Sequence, residues 1–148
     1  MYALSLLQPW ASLVVMGAKT IETRSWSTKH RGTLLIHASQ GKAGEIFACD
    51  PLFEKYITDF KTLPFGAIIG SVTIEKILRT EDFDLTDAAM NAVTLEEKAF
   101  GDYTSGRYGW LLVDPVKFVN PVPARGMPGL WKCSHGIKKL VENQLTLS

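Results

Sequence analysis

The chain has 148 residues, of which 46% are hydrophobic and 21% charged, with a formal net charge of +1. That length suits one domain with a core of its own, and the composition is that of an ordinary globular protein. Near-neutrality excludes bulk-charge-driven binding along a duplex, while a local basic cleft stays open, because charge distribution decides there.

Residues 2–7 (YALSLL) form a short apolar run suited to a buried strand. Pro9 fits the first helical position and Gly17 the left-handed stop, so WASLVVM between them reads as a helix of about two turns. Thr20–Trp26 alternates between turn residues and reads as a strand. HRG (30–32) is a turn, followed by a second strand, TLLIHAS (33–39). Residues 41–60 look helical, broken at Asp50–Pro51, where the proline opens a new helix. FGAIIGSVTIEKILRT (65–80) is a long strand whose glycines permit bending. A polar helix-forming stretch covers about residues 85–100. GRYGWLLVDPVKFV (106–119) is another strand, NPVPARGMPGLWK (120–132) a Pro/Gly-rich return, and a short amphipathic helix spans residues 135–146. Five or so strands with short helices between them, and no regular βαβ units, predict an α+β domain over 1–148, with its core at 2–132. A small mixed β-barrel with short helices packed around it is preferred over an open sheet, because the loops are dense in glycine and proline.

Cys49 and Cys133 stand apart with no metal-ligand spacing, so neither a metal site nor a disulfide is expected, and a reducing, cytoplasmic setting is the default. The first residues lack a basic leader, and no apolar run approaches the length of a membrane span. No Walker loop, dinucleotide fingerprint, nucleophile elbow or HExxH occurs, so no cofactor is expected.

The stretch GAKTIETRSW (17–26) carries chemistry. Alternation puts Thr20, Glu22, Arg24 and Trp26 on one strand face and Ile21 and Thr23 on the other, with Lys19 at the entrance. A phosphate could be held by Lys19 or Arg24, a base edge by Glu22, and a base could stack on Trp26 for roughly 1–3 kcal/mol. The plain alternative is a solvated strand face with an internal ion pair. QPW (8–10) opens a helix whose N–H groups and Gln8 amide favour an anion; equally, Gln8 caps the helix and Trp10 fills the core. His37 ends an apolar strand, where an imidazole can serve as acid–base or structural group. His30 and Arg31 flank the turn at Gly32. Tyr108 and Trp110 share a face as either a stacking platform or core. Lys19 and Arg24, projecting from strand ends, are expected to tolerate alanine with little loss of stability.

These residues bring a family into view. LSLLQPWASLVVMGAKTIETRSWSTKHRGTLLIHAS resembles the N-terminal signature of the ASCH domain (activating signal cointegrator homology), a PUA-like β-barrel. GRYGWLLVDPVKFVNPVPARGMPGLWK resembles that domain's closing strands, so the resemblance spans Leu4 to Lys132. It implies an RNA-facing role, with RNA, a nucleotide or a modified nucleoside as partner. The implied cleft contains Lys19, Glu22 and Arg24, with Gln8, Trp10 and His37 nearby. Some small bacterial members are amidohydrolases of N4-acetylcytidine, with a motif resembling G-x-K-T-x-T-x-R and a later glutamate. Lys19, Thr20 and Arg24 match that motif, but Glu22 stands at the second threonine, so an acyl-ester mechanism does not transfer. Lys19 and Glu22 would be the catalytic pair of a water-using variant, with Glu96 or Glu97 as the later acid. Other members are described as ribonucleases, which would give His37 or Lys19 an acid–base role. A protein-partner module without nucleic acid is the remaining alternative.

Overall fold

The computed structural model describes residues 1–84 and 93–148. Its strands are β1 (Tyr2–Leu6), β2 (Ile21–Arg24), β3 (Gly32–Ala38), β4 (Ala67–Arg79), β5 (Tyr108–Pro123) and β6 (Leu130–Lys132). The helices are α1 (Trp10–Val15), α2 (Pro51–Glu54), α3 (Leu95–Phe100) and α4 (His135–Leu147), with a 3-10 helix at Glu45–Cys49. The six strands form one sheet in the order β2-β5-β4-β3-β1-β6, curled into a half-barrel. The α+β class and the mixed curled sheet are as the sequence predicts.

Among the described strands, only the β1–β3 pair is parallel; the other paired neighbours run antiparallel. The centre is a long hairpin of β4 and β5, whose ladder shifts register three times and so bends both strands. Gly70 sits within this bend. A Cβ there would stand 2.1 Å from the Val116 carbonyl oxygen and 2.7 Å from Val15 Cγ1, so only glycine lets α1 lie against the sheet. α1 stops where expected, with Gly17 at φ +83°.

Both faces of the sheet are covered, and strand alternation sorts the side chains. Leu4, Leu6, Leu34 and Ile36 join Val14 of α1, Val72, Trp110 and Leu112 in one core. Ala3 and Leu35 point the other way and meet Phe118, Val122, Trp131 and Val141 of α4 in a second. Gln144 ties α4 down further, its side-chain oxygen accepting the Asn120 N–H at 2.9 Å.

Two local expectations need correction. Residues 41–60 are not a helix split once, but a 3-10 helix and the one-turn α2, with Asp50 capping α2 through the Leu52 N–H. The strand at 106–119 continues through the expected return as far as Pro123, because β5 stays paired with β4 to that residue. Of the polar helix at 85–100, Leu95–Phe100 is observed, and residues 85–92 lie outside the described residues.

Candidate nucleotide-binding cleft

A cleft of about 440 Å³ opens between the ends of β1 and β2, the start of α1, and the segment following α3. Its volume lies in the range of small-ligand sites. Glu22, Arg24, Trp10, Ser5, Ser39 and Phe47 line it, and Phe100, Gly101 and Asp102 close the far side. Trp10 and Phe47 meet at 5.2 Å between ring centres, tilted by 58°, and form the aromatic wall.

β2 delivers the charged pair by plain alternation. Arg24 Nε donates to Glu22 Oε2 at 3.0 Å, while Arg24 Nη2 donates to the Ser5 carbonyl at 3.1 Å. The guanidinium is thereby locked between two strands that are not sheet neighbours. Its remaining N–H groups and the Glu22 carboxylate are the hydrogen-bonding equipment of the cleft.

Lys19 stands behind this pair rather than in front of it. Only 1% exposed, it places Nζ 3.6 Å from Glu22 Oε1 and donates to the Ile21 carbonyl. Its charge also acts on Glu97 of α3. That carboxylate accepts from the Thr20 N–H at 2.9 Å and from the Thr20 hydroxyl at 3.1 Å. Burial pushes the Glu97 carboxyl above its ordinary range, opposed by the Thr20 hydrogen bonds and the Lys19 charge. The later glutamate facing the signature strand is therefore Glu97. Glu96 turns outward, accepting from the Tyr56 hydroxyl at 2.6 Å and pairing with Lys55 at 3.2 Å. The Tyr103 ring lies beside this cluster; burial, then the Glu97 and Glu22 charges, push its phenol upward, and the hydroxyl has no partner among the described residues.

The other residues singled out in the sequence divide clearly. Gln8 is sealed under α1, where its oxygen accepts the Ser12 N–H at 2.9 Å and its amide donates to Ser12 Oγ and the Pro64 carbonyl. It caps the helix and holds a loop, so no donor is left for an anion. Trp110 is 0% exposed and belongs to the core, with Trp26 edge-on at 5.0 Å and Tyr108 packed against the same cluster. None of these three lines the cleft: Trp110 shares a sheet face with its cross-strand partner Glu22, but it is covered by Trp26 and the main core, while Glu22 reaches the cleft. Arg31 lies in the β2–β3 turn, donating to the Thr28 and His30 carbonyls.

His37 is 2% exposed and satisfied at both nitrogens. Nε2–H donates to the Ala124 carbonyl at 2.8 Å, which leaves Nδ1 to accept from the Ser5 hydroxyl at 3.0 Å. Ser5 Oγ in turn accepts from Trp131 Nε1 at 3.2 Å. Burial lowers the imidazole pKa against the raising effect of the Ala124 bond, keeping the ring neutral. With both nitrogens engaged, His37 is not poised as an acid–base group.

Sequence reasoning missed Ser5, Ser39, Phe47 and the 100–102 segment. It also turned Thr23 away from the site, whereas Thr23 borders the cleft and its hydroxyl accepts the Asp102 N–H at 3.0 Å. Among the described residues, no helix is long and apolar enough to cross a membrane.

Comparison with known proteins agrees with this architecture. A family model described as the ASCH domain matches residues 4–122. Activating signal cointegrator 1 of Mus musculus and that of Homo sapiens are each 30% identical over 140 residues, covering 88% of this chain. The chain spans only 22% of the length of these curated relatives. The crystal structure of ASCH from Zymomonas mobilis has a TM-score of 0.58 at 14% identity, covering 96% of this chain and 93% of that one. The structure of a point mutant of the same Zymomonas mobilis protein gives 0.59 at 16% identity, over 96% and 94%. At such identities these structures speak for the fold alone. Fold, signature strand and family match converge: the chain belongs to the ASCH domain family.

Proposed function

We propose that this protein binds RNA, or a nucleotide derived from it, by taking an unpaired base into the Trp10–Glu22–Arg24 cleft. The observation that carries this reading is the Glu22–Arg24 pair, fixed at 3.0 Å and set across a small cleft from the Trp10–Phe47 wall. A base offers both donors and acceptors on its edge and an apolar face. A carboxylate beside a guanidinium supplies both complements, and an indole supplies the platform. Lys19 serves this site from behind, its ammonium 3.6 Å from the Glu22 carboxylate and helping to aim it.

The test is titration of single-stranded RNA oligomers and nucleosides into the parent and Arg24→Ala. Arg24 is partly exposed and its loss removes hydrogen bonds worth about 1–3 kcal/mol in stability, so the variant is expected to fold. Loss of binding by a folded Arg24→Ala supports the reading; equal binding by both proteins removes it.

A second reading, hydrolysis of a modified nucleoside such as N4-acetylcytidine, draws on one observation. Glu22, Lys19 and Glu97 gather two carboxylates about one buried ammonium beside the cleft. In this reading Glu22 activates water. Lys19 does not line the cleft, so it would act only through Glu22.

A further inference from the structure

The cleft does not end at Arg24. Ser5 and Ser39 border it and also border a second cavity of about 700 Å³, so the two run into each other across the end of β1. The far wall of the second cavity is the segment 124–128 between β5 and β6, and its floor is His37. The segment rests directly on that floor: a Cβ on Gly126 would stand 2.7 Å from both His37 Cε1 and Ser5 Oγ.

The two cavities differ in charge. In the cleft the charges are already paired: Glu22 with Arg24 at 3.0 Å and Lys19 at 3.6 Å, and Asp102 with Arg107 at 3.6 Å. In the second cavity Arg125 is the charged lining residue, no carboxylate accompanies it, and burial favours the neutral form of His37. Arg125 is exposed and has no ion pair among the described residues. An anion is therefore better served beside Arg125 than beside Arg24, whose guanidinium is already engaged by Glu22, while a neutral base suits the aromatic cleft. Gln40, exposed on the same wall, adds an amide for a phosphate or sugar oxygen.

We propose that the second cavity is a subsite for the phosphate and sugar of the adjoining nucleotide of an RNA single strand. Arg125 is its phosphate ligand and Gln40 its hydrogen-bonding partner. This rests on the reading of the cleft as a base site, and it deepens that reading: the ligand is a strand rather than a free nucleoside. The strand must be single because pairing occupies a base's Watson–Crick edge and stacking covers its faces.

The experiment measures binding of fluorescein-labelled RNA hexamers and of the four nucleosides to the parent, Arg125→Glu, Arg125→Ala and Arg24→Ala. Thermal melting confirms that each variant is folded. The parent is expected to bind hexamers more tightly than nucleosides, and Arg125→Glu to shrink that advantage on the order of tenfold by reversing the charge at the phosphate. Arg125→Ala is expected to make the slope of log affinity against log salt shallower by about 0.7, as one single-strand phosphate contact requires. Hexamer binding lost in Arg24→Ala but unchanged in both Arg125 variants overturns the subsite and leaves the base site standing. Hexamers bound no more tightly than nucleosides also overturn the subsite. Hexamer binding indifferent to both arginines, or absent from the parent, overturns the two together.

Discussion

Lys19 and Glu22 face each other across 3.6 Å with the lysine sealed from solvent and Arg24 on the other side of the carboxylate at 3.0 Å. The signature strand therefore carries a charge stack, Lys19 to Glu22 to Arg24, of which only Glu22 and Arg24 line the cleft. This order overturns the expectation that Lys19 behaves as a surface group. Lys19→Ala removes the buried ammonium that pairs with Glu22 at 3.6 Å, and breaking a buried pair costs about 3–5 kcal/mol. Urea unfolding is expected to show a loss of that size for Lys19→Ala and a much smaller one for Arg24→Ala. Equal midpoints for the two variants would show that Lys19 is not buried in solution.

The cleft's aromatic wall depends on a glycine. Gly44 lies so close to the start of α1 that a Cβ would fall 1.9 Å from the Gln8 carbonyl oxygen and 2.8 Å from Trp10 Cζ3. Its φ of −80° is open to any residue, so contact alone requires glycine here. Gly44→Ala is expected to push the 3-10 helix away from Trp10, carry Phe47 with it, and weaken base binding more than it lowers the melting temperature. Trp10 fluorescence unaltered by the substitution would refute this account.

The pH dependence of stability has two opposing sources. The folded state depresses the His37 pKa below 6.5, so the unfolded chain takes up a proton there first. Its contribution is present above pH 6.5 and is lost as pH falls through the depressed value. Glu97 works in the other direction, since its folded pKa is raised above 4.5. Its contribution is present below pH 4.5 and is lost as pH rises through the raised value. Glu97 thus masks part of the acid-side loss due to His37. Stability of the parent, measured by urea unfolding from about pH 7.5 to about pH 4.5, is expected to fall on the acid side. It should fall more steeply in Glu97→Gln and less steeply in His37→Gln. Parallel curves for parent and His37→Gln would assign the acid-side loss to other groups.

The parts of the site that were legible in the sequence are those that depend on short-range periodicity. Two-residue alternation places Glu22 and Arg24 on one face, and they meet at 3.0 Å; the stop at Gly17 and the tail helix follow equally from local rules. What was illegible is burial and long-range pairing. Lys19 lies outside β2, so alternation says nothing of its depth, and a lysine is seldom buried without a partner that only the fold reveals. That partner set includes Glu97, 77 residues beyond Thr20, which no local pattern distinguishes from Glu96. Trp110 reads equally as platform or core from its own strand, and only the long-range packing of β1, β3 and β4 side chains around it makes it core. Ser5 gave no signal as a single hydroxyl in an apolar run, although its carbonyl holds Arg24 and its side chain holds His37.

Glu22 separates a binding module from an enzyme, because it stands where the resembling amidohydrolases have a threonine. Its Oε2 accepts from Arg24 and its Oε1 faces Lys19, so the carboxylate is held on both sides and has no freedom to swing. Glu22→Gln preserves that shape and removes the charge, while the Ser5 carbonyl, at 3.1 Å, still holds Arg24 in place. In a binding module the change alters affinity and base selectivity, since an acceptor pair becomes one acceptor and one donor, and there is no reaction to lose. In a water-activating hydrolase it leaves binding largely intact and costs about 100- to 10,000-fold in rate, the usual scale for a lost general base. Incubation of parent and Glu22→Gln with N4-acetylcytidine and with RNA oligomers, following product release and binding in the same samples, distinguishes these outcomes. The expected result is no turnover by the parent and a changed base preference in the variant. Turnover by the parent that the substitution abolishes would replace the binding module with an enzyme using Glu22 as its base. Turnover that survives the substitution would remove Glu22 from the chemistry altogether.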